Sequence, residues 1–311
     1  MFKTINKRIA KQIKFFNKTS NWLKITISLI VILTTIHFLS TKRESFGQKK
    51  EFILKEGPEV YDKFYCGIYD DLILDKVKNE YEVGEIINVT KPTKNSNILD
   101  VGSGTGEIVD LFHTKGFKSQ GLEISSAMVK QSRKKYPHLT FSQGDVMKSM
   151  NFETNTFTHI TSLYFTIYYM KDKLQFFKNC HSWLMPGGSL IVHLVNRDKF
   201  DPILNVADPL VWVSPQKYAK QRITSSIVKF KDFQYKANFE FDKKNNMAEF
   251  AETMKDDKTG NIRKNIHRLH MPTQKKILSM AKSVGFILKG KIDLINVQYE
   301  YQYLYILYKP Q

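Results

Sequence analysis

Hydrophobic positions change rhythm along this chain, and each change marks an element. Phe2, Ile5, Ile9, Ile13 and Phe16 recur at three- and four-residue steps with Lys and Arg between them, one stripe of a helix over residues 1–21. From Trp22 to Leu39 the chain is apolar for 18 residues apart from Lys24, a few Ser and Thr, and His37. As a helix this run measures about 27 Å, the thickness of a bilayer core, so residues 22–40 predict a transmembrane helix. Residues 41–58 read as a polar linker. Short apolar runs then alternate with helical ones. Ile98 to Val101, Gly121 to Ser125, Leu139 to Gln143, Phe157 to Leu163 and Ser189 to Val195 read as strands. Glu107 to Lys115 and Ser126 to Lys135 read as helices between them. That alternation predicts an α/β domain over 59–311, built on a doubly wound, mostly parallel sheet of seven strands.

Residues 196–271 are too long for a connecting loop in a compact domain. Ser226 to Phe230 and Phe233 to Phe241 alternate aromatic or aliphatic residues with Lys, the period of a strand with one wet face. The segment is therefore expected to form an inserted antiparallel lobe that caps a substrate. A helix from Thr273 to Ser283 follows. Two last strands, Ile287 to Asn296 and Tyr299 to Tyr308, are expected to close the sheet as an antiparallel hairpin.

The chemistry is concentrated where the first strand ends. Asn97-Ile-Leu-Asp-Val-Gly-Ser-Gly-Thr-Gly106 places glycines at 102, 104 and 106, with Asp100 two residues before the first. Glycines there allow φ > 0 and let a ligand lie against bare backbone. A dinucleotide loop presents a helix N-terminus to a pyrophosphate. A carboxylate beside the loop repels phosphate and suits a ligand carrying an ammonium and a sulfonium. Glu123 ends the second strand 17 residues after Gly106, close to the spacing at which an acid holds ribose hydroxyls. Ser125 can N-cap the next helix. Asp145 follows the third strand, placed to accept from an adenine amino group.

In this order the motifs resemble the class I S-adenosylmethionine-dependent methyltransferases, over about residues 60–195 with a compatible tail to 309. The resemblance implies that Gly102, Gly104 and Gly106 underlie the methionine part of the cofactor, while Asp100 fixes the loop or meets the amino group. It implies that Glu123 accepts from the ribose hydroxyls, Ile124 covers the adenine, and Asp145 holds the adenine amino group with Val146 packed nearby. Ser162 to Thr166 would pass the sulfonium and shape the acceptor pocket. Val60 to Asp71 resembles the helix that lids the cofactor in small-molecule members. Tyr61 and Tyr65, four apart, would share its inner face, one of them meeting the cofactor carboxylate. Local readings stand beside these: Ile124 and Val146 as plain core, Tyr164 as a packing aromatic, Tyr61 and Tyr65 as an aromatic stripe.

No metal is expected. Cys66 and Cys180 are 114 residues apart, and no paired Cys or His motif accompanies them. The catalytic base stays unassigned; Tyr164, His193, Arg197, Arg263 and His267 are the acceptor-pocket candidates. A net charge of +18 invites a nucleic-acid reading, yet 41 of the 48 basic residues are Lys and only 7 are Arg, the residue bidentate recognition favours. Residues 1–43 hold nine of the cations and no acid, hence half of the excess. The apolar run is too long for a signal peptide and lacks a small-residue cleavage site, which fits an uncleaved single-pass anchor. The basic, acid-free stretch before it also resembles a mitochondrial presequence. Its flanking charge favours an inside N-terminus. Scarcity of the cofactor outside argues the opposite, and places the catalytic domain on the cytosolic or matrix-like side. The expected activity is methyl transfer to a small-molecule acceptor, with a lipid-like or quinone-like one as the narrower expectation. A protein or RNA methyltransferase and a non-catalytic membrane scaffold are the alternatives.

Overall fold

The computed structural model describes residues 20–26, 29–30, 33–35, 51–202 and 221–311. The chain divides into two units, residues 1–51 and 52–311. In the first, residues 21–26, 29–30 and 33–35 are helical. No helix among the described residues is long and apolar enough to cross a membrane. The rest of the expected span 22–40, and the amphipathic segment before residue 20, lie outside the described residues.

The second unit opens on β1 (Phe52–Glu56), where the sequence reading has linker. A 3-10 turn at Gly57–Val60 leads to α1 (Lys63–Ile73) and α2 (Lys76–Thr90). Asp62 and Asp75 cap these helices, accepting from the backbone N–H groups of Tyr65 at 3.1 Å and Lys78 at 3.0 Å. Tyr61 therefore precedes α1 rather than sharing a helix face with Tyr65.

Alternating strands and helices follow: β2 (Asn97–Val101), α3 (Glu107–Thr114), β3 (Lys118–Glu123), α4 (Ser126–Lys135), β4 (Thr140–Gln143), β5 (Phe157–Ser162), α5 (Thr166–Tyr169), α6 (Lys173–Trp183) and β6 (Leu184–Val195). Four strands of the insertion come next, β7 (Ser225–Lys229), β8 (Phe233–Asp242), β9 (Met247–Asp256) and β10 (Ile262–His270). Helix α7 (Gln274–Val284), β11 (Ile287–Asp293) and β12 (Gln302–Tyr308) end the chain.

The main sheet has seven strands in the order β11-β12-β6-β5-β2-β3-β4. It is mixed: β12 runs against both neighbours, β6 and β11, and the rest are parallel. The expected hairpin is two strands separated by a 3-10 turn at Leu294–Val297. Central strands are apolar on both faces because helices cover both: Ile98, Leu99 and Val101 are all buried.

The insertion is an antiparallel meander, β7 to β10, that recruits β1 as a parallel edge beside β10, in the order β1-β10-β9-β8-β7. One face turns inward, with Tyr235, Ala237 and Phe239 buried on β8 and Ala248 and Met254 on β9. Phe239, Ala248 and Leu269 join the apolar cluster that includes Val192, Leu194 and Trp183, which seats the meander on the main domain.

Candidate active site

The turn after β2 is stitched to β3, with Gly102 and Ser103 N–H both donating to Leu122 O at 2.8 and 3.2 Å. Its three glycines have φ of +73°, +52° and +93°, a region side chains enter at a cost. Their roles differ. A Cβ on Gly102 would fall 2.7 Å from Thr166 Oγ1, and one on Gly106 2.7 Å from the Phe141 ring, so both glycines serve close packing. At Gly104 a Cβ would meet only the Tyr69 ring, at 3.8 Å, and would otherwise stand in a cavity of about 680 Å³. Gly104 is the backbone that a ligand can lie on.

Two buried carboxylates face that cavity. Glu123 accepts from Gly104 N–H at 3.1 Å and from Ser125 N–H at 2.9 Å, so it shapes the loop as well as lining the space. Asp100 accepts from the Thr161 hydroxyl at 2.7 Å. Burial raises both above the ordinary carboxylate value. For Asp100 the rise reaches about 7: the Thr161 hydrogen bond opposes it, and Glu123 and Glu82 add to it. Among the described residues neither forms an ion pair. A cation in the cavity would supply the missing counter-charge.

Ile124 is 45% exposed and lines the cavity, which excludes the plain-core reading. Val146 does both, lining the cavity and belonging to the main apolar cluster. Asp145 lines the cavity too, and its carboxylate accepts from Met147 N–H at 2.9 Å. Ser162 is fully buried with its hydroxyl unpaired. Tyr164 lines the cavity at φ +52°, a strained value for a bulky residue, with Lys78 Nζ 5.3 Å from its ring centroid.

Helix α1 lies over the glycine loop and is tied at both ends. Ser125 Oγ donates to Tyr61 O at 2.7 Å, and Thr105 Oγ1 to Asp70 at 2.6 Å. Tyr61, Tyr65 and Tyr69 all line the cavity. Beyond them stands a buried polar chain. Tyr61 OH donates to Tyr169 OH at 2.9 Å, Tyr169 OH meets His267 Nδ1 at 2.8 Å, and His267 Nε2 meets Glu252 at 2.8 Å. Tyr65, Tyr235 and Asn265 donate to the same carboxylate at 3.0, 2.7 and 3.2 Å. Burial pushes Glu252 up, but hydrogen bonds from His267, Tyr235 and Asn265 outweigh it and hold the carboxyl below its ordinary value.

Gly106 and Ser162 lie outside the cavity lining, and so do three of the acceptor-pocket candidates, His193, Arg197 and Arg263. His193 is fully buried behind Tyr164 and Phe165, and burial, with Lys78 nearby, drives it well below the ordinary His value. Arg197 is spent on Asn246 and Met271 O, bracing the meander. Arg263 is spent on Asp62 at 2.8 Å, Val60 O and Asn265. For the two arginines the cause is that a buried guanidinium uses its donors where it sits, whereas His193 is simply enclosed by aromatic side chains. The sequence reading passed over Glu252, Tyr169, Tyr69 and Lys78. Glu252 had a signal. It occupies the inward phase of β9 with Ala248, Phe250 and Met254, and a carboxylate in an apolar phase needs partners.

Comparison with known proteins agrees with this geometry. Residues 98–188 match the family model described as a methyltransferase domain. A demethylmenaquinone methyltransferase of Chlorobaculum tepidum is 37% identical over 92 residues, which is 29% of this chain and 37% of that protein. A dTDP-3-amino-3,4,6-trideoxy-alpha-D-glucopyranose N,N-dimethyltransferase of Streptomyces venezuelae is 28% identical over 137 residues, 43% of this chain and 55% of that one. The chain thus spans from about a third to just over half the length of these curated relatives. Among solved structures, the CcbJ methyltransferase of Streptomyces caelestis superposes with a TM-score of 0.63 at 15% identity, covering 81% of this chain and 98% of that one. CalS10 of Micromonospora echinaspora, an amino pentose methyltransferase solved with S-adenosylmethionine bound, gives 0.56 at 18% identity over 79% and 96%. At such identities these structures show the fold, and the fold covers the meander as well as the methyltransferase domain.

Proposed function

We propose that the chain is an S-adenosylmethionine-dependent methyltransferase acting on a small-molecule acceptor, with a lipid-like or quinone-like molecule as the narrower reading. The carrying observation is the pair of buried, cation-free carboxylates, Asp100 and Glu123, on a cavity floored by the open backbone of Gly104. Such a site fits a ligand bearing an ammonium, a sulfonium and a ribose. Glu123 would accept from the ribose hydroxyls, Asp145 from the adenine amino group with Ile124 on the ring, and Asp100 would face the amino group. The cofactor supplies an electrophilic methyl group. The chain's own contribution is to orient the two reactants and exclude water between α1, the glycine loop and the meander.

Both the demethylmenaquinone methyltransferase and the dTDP-amino-sugar N,N-dimethyltransferase among the relatives are named for small acceptors, which supports the acceptor class. The apolar run 22–40 motivates the lipid-like reading, in which a single-pass anchor holds the catalytic unit on the cytosolic or matrix-like side.

The test is calorimetric titration of the full chain with S-adenosylmethionine and S-adenosylhomocysteine, followed by transfer of labelled methyl to phenol, amine and quinol acceptors. Micromolar binding is expected. Glu123→Ala should weaken it by about 1–3 kcal/mol, through unpaired hydroxyls and a loosened Gly104. A folded protein that binds neither compound would revive the scaffold alternative.

A further inference from the structure

The methyltransferase reading leaves one buried network without a task. Tyr169 of α5 and His267 of β10 line the cavity, and Glu252 of β9 is hydrogen-bonded behind His267. Glu252 is 0% exposed and His267 2%. Burying a carboxylate and an imidazole together is costly unless both are satisfied, and here five hydrogen bonds satisfy the carboxylate and the ring.

The directions of those bonds follow from the charge of Glu252. An ionised carboxylate only accepts, so His267 Nε2 carries a hydrogen and donates to it. Nδ1 meets the Tyr169 hydroxyl, and in the tautomer that carries its hydrogen on Nε2 alone it accepts from it. Tyr169 is 36% exposed and lines the cavity, so the chain runs from a buried anion to a side chain on the cavity wall. A carboxylate that fixes an imidazole through one nitrogen and leaves the other on a hydroxyl is the arrangement of a general base.

We propose that Glu252, His267 and Tyr169 form a proton relay that deprotonates an acceptor hydroxyl on an aromatic ring. This rests on the methyltransferase reading and specifies the acceptor for it. The acceptor O–H bond breaks and its proton passes to the Tyr169 oxygen as the Tyr169 proton moves to His267 Nδ1. The acceptor is left as an anion, and the imidazolium is paired with the Glu252 carboxylate, so charge and protons balance. Tyr169 is the residue that touches the acceptor; His267 and Glu252 act through it. The aromatic class follows from the walls. Tyr61, Tyr69, Tyr169 and Phe250 line the cavity, and Tyr61 contacts Tyr69, Tyr169 and His267 edge-on, with ring centroids 5.9–6.3 Å apart. A flat ring suits such walls. A phenol must ionise to become a good nucleophile, and an aromatic hydroxyl is therefore the acceptor whose proton the relay is read on.

The groups facing His267 are few. Tyr61 and Tyr65 face it from the α1 side, Tyr169 from α5, and Glu252 and Phe250 from β9. Asn265, on its own strand, shares Glu252 with it, and Arg263 next to Asn265 is neutralised by Asp62.

The probe is 4-nitrocatechol, whose ionisation is visible by absorbance. It is titrated into the full chain holding S-adenosylhomocysteine, at a pH where the free probe is neutral. The bound probe is expected to show the anion spectrum. Tyr169→Phe, His267→Asn and Glu252→Gln should each raise its apparent pKa by ~1 unit or more, a tenfold loss of ionisation, with S-adenosylhomocysteine affinity held within about twofold. Tyr169→Phe removes one partly exposed hydroxyl and keeps the ring, so it reads the relay if a buried variant fails to fold. A neutral bound probe, an absence of probe binding, or unchanged ionisation in the variants overturns the relay. Failure of the unmodified chain to bind S-adenosylhomocysteine overturns the methyltransferase reading instead.

Discussion

Asp100 and Glu123 lie at strand ends beside a loop of bare backbone, and their charge is poorly compensated in the ligand-free protein. Asp100 is raised to about 7 chiefly by burial, so it is partly protonated at neutral pH. A bound cation favours the ionised form. Binding of S-adenosylmethionine should therefore expel a proton, and affinity should rise on the order of tenfold between pH 6 and 8. Calorimetry in two buffers of different ionisation enthalpy reads the release directly, and Asp100→Asn should abolish it. Binding that neither varies with pH nor releases protons would remove Asp100 from the site. The same shift has a sign for stability. A carboxyl whose folded value exceeds its unfolded one costs the ligand-free fold stability as pH climbs from about 4 to 7. The glycines teach a related lesson. All three share one left-handed conformation and look equivalent in sequence, but only the surroundings of Gly104 are open.

Helix α2 shows why some elements escape a reading by pattern. Its inner stripe is Lys78, Glu82, Val83 and Ile86, so a charged pair interrupts the apolar period. Lys78 Nζ and Glu82 are 2.9 Å apart with side chains 4% and 0% exposed. Burial raises Glu82 despite its partner. Glu82→Ala should destabilise the fold by about 3–5 kcal/mol, because it strands a buried ammonium, whereas replacing both by Met and Leu should cost far less. Denaturant unfolding measures both; a loss under about 1 kcal/mol for Glu82→Ala would mean that the ammonium reaches water. Strand β1 escaped for a different reason. Phe52 and Leu54 point outward and are exposed, so the run lacks the buried alternate face that marks a strand. Its pairing partner, β10, lies some 200 residues away.

At the scale of the molecule, the meander and the main sheet enclose one cavity with two halves. The half nearer the glycine loop is built from segments close in sequence. The other half is assembled from α1, α5, β9 and β10. For the N-terminal run, the anchor reading expects the full chain to resist alkaline extraction from membranes, with its catalytic unit protected or exposed to protease according to side. Recovery of the chain in a detergent-free soluble fraction would end that reading.

The division between what the chain reveals alone and what folding adds follows the range of the interactions involved. Strand and helix alternation, the cap at Ser125, and the acid-and-glycine signature from Asp100 to Glu123 depend on neighbours within a turn or one crossover, and the sequence by itself determined them. The recruitment of β1, the withdrawal of His193, Arg197 and Arg263 from the site, and the meeting of Tyr169, His267 and Glu252 were decided only by the tertiary structure. Each depends on contacts between residues far apart in the chain. Hydrophobic periodicity places a residue on a face but carries no information about its partner across the core.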